Sequence, residues 1–109
     1  PASGRDEVGG LLIEDDRIAD VGPRIDRYVT AAERIDAAGL ALAPGLIDLR
    51  VKTGEPGAEN KETLLTASEA AAAGGVTSFV MMPDTDPVID TVALVDFVQR
   101  RARGIAQVK

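Results

Sequence analysis

After Pro44-Gly45 the chain changes from short apolar runs to an alternation of strand-like and helix-like segments, and this order restricts the fold more than any other feature. Leu46-Ile47-Asp48-Leu49-Arg50-Val51 reads as a strand. Residues 60–73 read as a helix, with Asn60 as N-cap and Gly74-Gly75 as its stop. Leu64, Leu65, Ser68, Ala71 and Ala72 fall on one side of it at helical spacing, and its small alanines allow close approach to a sheet. Residues 76–82 form an apolar run of the buried parallel-strand type, and residues 83–87 form a loop. Asp90 is placed to cap a second helix whose inward stripe is Leu94, Val95, Val98 and Ala102, with Gly104 past its end. Residues 105–108 would then begin a third strand. The pattern is β-α-β-α-β, for which right-handed parallel crossovers are the expected geometry.

The part before Pro44 is β-rich. Leu11-Leu12-Ile13 and Ile18-Ala19-Asp20-Val21 are short apolar runs separated by Glu14-Asp15-Asp16-Arg17, and aspartate tolerates the left-handed positions of a tight hairpin. Residues 34–43 add further extended pieces, interrupted by Gly39. A hairpin and one strand are too small to be a domain alone. Two βα units would also leave sheet edges and apolar helix faces uncovered, so the 109 residues read as part of something larger or as completed by another chain.

Composition narrows the chemistry. Twelve basic against eighteen acidic side chains give a net charge of −6, which argues against nucleic acid or an anionic membrane as partner. No run approaches the roughly 18 apolar residues of a membrane span, and no charged-then-apolar leader opens the chain, so a cytoplasmic location is expected. There is no histidine and no cysteine, so a histidine–zinc or thiolate site cannot be built from these residues.

Pro44-Gly45-Leu46-Ile47-Asp48-Leu49-Arg50-Val51-Lys52 resembles the first barrel strand of the amidohydrolase superfamily, whose pattern is P-G-x-I-D-x-H-x-H. Glu55-Pro56-Gly57, Lys61-Glu62-Thr63, the stretch from Ala70 to Thr77, Met82-Pro83 and Pro87-Val88-Ile89-Asp90 narrow the likeness to the long-chain dihydroorotases. These read H-x-H-L-R-E-P-G at the first strand and M-P-N-T-N-P at the second. The resemblance implies an α/β fold: the start of a metallo-dependent-hydrolase (β/α)8 TIM barrel over residues 44–109, preceded over residues 1–43 by the N-terminal strands of a small β-sandwich. A whole barrel needs about 250 residues. The family uses zinc to interconvert carbamoyl-aspartate and dihydroorotate in pyrimidine biosynthesis.

The family's functional residues do not carry over. Arg50 and Lys52 stand at the two zinc-histidine positions, Gly54 where an arginine would hold the substrate carboxylate, and Asp84 where an asparagine would bind substrate. Guanidinium has no acceptor lone pair, and ammonium has none while charged, so neither ligates zinc in its charged form. Four departures at four functional positions, with the structural words around them kept, read as a pseudoenzyme. No catalytic, substrate-binding or metal residue is therefore assigned, and no cofactor is expected. The resemblance further implies a structural role beside aspartate transcarbamoylase, which inactive family members accompany in an oligomer. Two alternatives stay open: an active zinc-dependent cyclic amidohydrolase with an altered metal site, and a fragment without a function of its own.

On this reading the two cations replace the missing metal charge and pair with a pocket carboxylate, Asp84 or Asp86. Without the motif they would be ordinary surface charges. Asp48 is expected to support the site, Asp84 and Asp86 in their proline-bounded loop read as turn formers rather than as an acidic cation site, and Arg100-Arg101-Ala102-Arg103 would be a solvated helix end.

Overall fold

The computed structural model describes residues 4, 7–25, 30 and 33–109. The chain divides between Pro44 and Gly45 into two compact units.

In the first unit, β1 (Gly10–Glu14) and β2 (Arg17–Gly22) form an antiparallel hairpin. Glu14 faces Arg17 across the two-residue turn, and Asp15 takes the left-handed conformation with φ 57°. Aspartate accepts that conformation because its short side chain can bond locally. The register slips between Leu12 and Ile13. The extended pieces expected at residues 34–43 are not strands. Gly39 turns the chain at φ 80°, with Leu40 N donating to Ala37 O at 2.9 Å. Ile35, Leu40 and Leu42 stay exposed, and among the described residues this segment has no neighbouring strand to complete a ladder.

In the second unit, β3 (Leu46–Val51) and β4 (Val76–Met81) pair in parallel, and α1 (Leu64–Ala73) connects them. A second helix, α2 (Val92–Ile105), follows β4. Helix α1 packs on β4 and on α2, burying Leu64, Ala67 and Ser68. The expected stripe is thus rotated: Ala67 is buried and Ala72 is exposed.

Both helices begin later than the sequence suggested. Asn60 lies in a turn in which Lys61 N and Glu62 N reach Ala58 O, at 2.9 and 3.4 Å. The N-cap is Thr63, whose hydroxyl accepts from Thr66 N while the Thr66 hydroxyl accepts from Thr63 N, a reciprocal capping box. Asp90 is likewise held in a tight turn by Val88 O, so Thr91 is the first residue free to cap α2. Gly74 and Gly75 end α1 as expected.

Helix α2 runs through Gly104 to Ile105, which displaces the proposed third strand. What remains of it is one rung: Lys109 N donates to Thr77 O at 3.1 Å and Phe79 N donates to Lys109 O at 2.7 Å. Bonding to residues one before and one after the facing position is the parallel pattern. Among the described residues, no helix is long and apolar enough to cross a membrane.

Candidate functional site

The C-terminal ends of β3 and β4 lie side by side, with Met82 N donating to Val51 O at 2.8 Å just past the paired strands. Parallel pairing therefore carries two loops out of the same edge: residues 52–63 lead to α1 and residues 82–91 lead to α2. The residues singled out by motif sit here. Arg50 is the next-to-last residue of β3, Lys52 and Gly54 lie in the first loop, and Asp84 is in the second.

Three of the four act on one another. The Lys52 ammonium makes an ion pair and hydrogen bond with Asp84 Oδ2. That bond holds the Asp84 carboxyl below the ordinary carboxylate range; desolvation opposes it, and the Lys52 charge, the residue's own backbone amide and the Arg50 charge lower it further. Both side chains of the pair keep substantial solvent access, 70% and 45%, so the attraction is screened. Asp86, the other carboxylate considered, instead uses its backbone amide to bond Pro56 O at 3.2 Å. Asp48 Oδ1 accepts from the Arg50 amide at 2.9 Å, where the β3–β4 register slips between Asp48 and Val51. Its contribution is to the backbone that carries Arg50. The turn-forming bond of the second loop comes from Thr85, whose hydroxyl donates to Pro87 O at 2.8 Å.

Gly54 is hemmed in by backbone. A Cβ there would lie 2.5 Å from Ala58 O and 2.9 Å from Glu62 N, and closer still to Glu62 O. Real Cβ atoms do not approach backbone so closely, so residue 54 can only be glycine in this loop conformation.

One residue quoted in the motif turned out to matter more than its motif suggested. Glu55 is only 3% exposed. Its Oε2 accepts from Leu64 N at 2.9 Å at the start of α1, and its Oε1 accepts from Arg101 Nε at 2.8 Å on α2. A carboxylate suits the positive end of a helix, and the guanidinium supplies the opposing charge that burial demands. The arginine run is thus only partly a solvated helix end: Arg100 pairs with Asp96 one turn away, while Arg101 reaches into the unit. Burial of a lone glutamate in a loop has no periodic signature, and the Glu-Pro-Gly string gave its position without its partners.

A zinc ion does not fit the side chains at these strand ends. Arg50 and charged Lys52 offer it no lone pair and add two positive charges where it would sit. The Asp84 carboxylate is already engaged by Lys52.

Residues 39–109 match the family model described as dihydro-orotase-like. The chain is 47% identical over 102 residues to the dihydroorotase of Wolbachia sp. subsp. Drosophila simulans, covering 94% of this chain and 23% of that protein. It is 45% identical over all 109 residues to the dihydroorotase of Syntrophotalea carbinolica and 44% identical over 108 residues to that of Solibacter usitatus, spanning 25% of each. The chain thus spans about a quarter of the length of the curated relatives it matches.

Proposed function

The chain belongs to the dihydroorotase-like family, and from that premise we propose that it is the N-terminal part of a non-catalytic member. Residues 44–109 would open a (β/α)8 barrel, and residues 1–43 would supply strands of its small β-sandwich. Arg50 and Lys52 replace the zinc ligands, and Gly54 and Asp84 replace the substrate contacts. The protein then serves pyrimidine biosynthesis as a structural partner of aspartate transcarbamoylase in the cytoplasm.

The observation that carries this reading is the ion pair between Lys52 and Asp84. An ammonium at a ligand position would repel a dication, and a carboxylate at an amide position would repel an anionic substrate. Here the two changes answer each other across neighbouring strand ends, so each makes the other tolerable. Two unrelated losses would leave both charges unmatched.

Metal analysis of the intact protein is expected to find no stoichiometric zinc, and assays with dihydroorotate and with carbamoyl-aspartate should give no turnover above background. Bound zinc together with turnover in either direction would overturn the reading in favour of an active cyclic amidohydrolase with an altered metal site. Co-purification with aspartate transcarbamoylase is the expected outcome for the assembly role, and separation at micromolar concentrations would count against it.

A further inference from the structure

The loop between β3 and α1 is tied by bonds among its own residues. Gly54 O accepts from Ala58 N at 2.6 Å, and Ala58 O accepts from Lys61 N at 2.9 Å and Glu62 N at 3.4 Å. The Gly57 amide donates to Glu59 Oε1 at 3.0 Å, and this bond holds the Glu59 carboxyl below its ordinary range. The Thr53 hydroxyl donates to Glu55 O at 3.1 Å. Glu55 in turn fixes the loop to both helices.

The loop also abuts the one between β4 and α2. Asp86 N donates to Pro56 O, and a Cβ on Gly57, whose φ is 100°, would overlap the Asp86 carbonyl. Only glycine fits there, on conformational and on steric grounds. At Gly54 the same closure puts backbone atoms of Ala58 and Glu62 where the first carbon of any side chain would have to be.

We propose that this loop is a built-in plug at the C-terminal end of β3, locked by Glu55, which occupies the space that an anion-gripping side chain at position 54 would need. The proposal rests on the non-catalytic reading and deepens it. The loss at position 54 resides in the backbone as well as in the residue type. Restoring an arginine there would displace the loop rather than rebuild a grip on a carboxylate ligand.

The test is amide hydrogen exchange and thermal unfolding of the intact protein with Gly54→Ala, Gly54→Arg and Gly74→Ala. Gly74 is the control: its φ is −85° and a Cβ there makes ordinary contacts of 3.5 and 3.6 Å. Both Gly54 variants are expected to speed exchange at the Ala58 amide by about tenfold or more while Gly74→Ala leaves it unchanged. Unchanged Ala58 protection in both Gly54 variants would overturn the plug. If the Gly54 variants do not fold, Glu55→Gln decides, because it leaves the backbone at 54 alone. Faster exchange at Ala58 and Leu64 supports the lock, and unchanged exchange at both overturns it. The two readings fail separately: zinc and turnover in the unsubstituted protein would sink the non-catalytic reading, whereas exchange at Ala58 and Leu64 bears on the plug alone.

Discussion

The Asp84 carboxylate is stabilised in its charged form by the Lys52 hydrogen bond and, through space, by the Lys52 and Arg50 charges. Because its folded pKa is depressed, the resulting stability is present above the ordinary aspartate pKa of about 3.9 and is lost as pH falls through the lower folded value. Two outcomes follow at this scale. Replacing Lys52 with Met should move the Asp84 titration upward, followed by carbon-detected NMR of the carboxyl group. Asp84→Asn should lower the melting temperature slightly at pH 7, and the difference from the unsubstituted protein should shrink as pH drops below the folded Asp84 pKa. A difference that grew with acidification would mean that Asp84 is stabilised in its neutral form, contrary to the ion pair seen here.

Among the elements, helix α1 depends on two contacts of different origin. Thr63 caps it from its own sequence, and Thr63→Ala should cost about 1 kcal/mol. Glu55 caps it from nine residues away and also receives Arg101. Glu55→Ala, which leaves the Leu64 amide and a guanidinium without their acceptor, should cost about 2 kcal/mol. Circular dichroism melts of the two variants check both values, and a larger loss for Thr63→Ala would show that the distant carboxylate is incidental. The contrast marks how far the sequence could be read. The strands at Leu46–Val51 and Val76–Met81, the hairpin turn at Asp15-Asp16 and the glycine stop of α1 follow from local pattern and were legible. The caps were misplaced because Asn60 and Asp90 have the right side chains but sit in turns set by Ala58 and Val88. A motif fixed the positions of Arg50, Lys52 and Asp84, so a cation–carboxylate pairing was legible with Asp84 or Asp86 as the acceptor, and the structure selects Lys52 with Asp84. The partners of Glu55 and the backbone around Gly54 were not legible. Those depend on where a loop closes, and composition and period carry no record of that. Ser68 was read as one more small residue on a helix face. It is fully buried, with its hydroxyl donating to Leu65 O and accepting from Gln107 N, so it ties α1 to the chain leaving α2.

At the scale of the whole molecule, the second unit places apolar strand residues on a sheet that has two strands among the described residues. Leu46, Ile47, Leu49 and Val80 are each more than half exposed, and among the described residues β3 pairs on one edge only. Apolar exposure on this scale, next to an unpaired strand edge, is ordinarily covered by further protein. The run of the chain agrees, because Lys109 already adds one parallel rung to β4. The barrel proposed above would cover these surfaces by continuing the same pairing around to β3. The 109 residues prepared by themselves should therefore self-associate with rising concentration, and analytical ultracentrifugation would follow it. Leu49→Lys puts a charge on the edge strand and should weaken that association by about tenfold, which corresponds to roughly 1.4 kcal/mol. A chain that stays monomeric at high micromolar concentration, with Leu49→Lys indistinguishable from it, would mean that these apolar side chains need no cover. The second unit would then be stable without an enclosing fold, and a barrel around it would have family likeness as its only support.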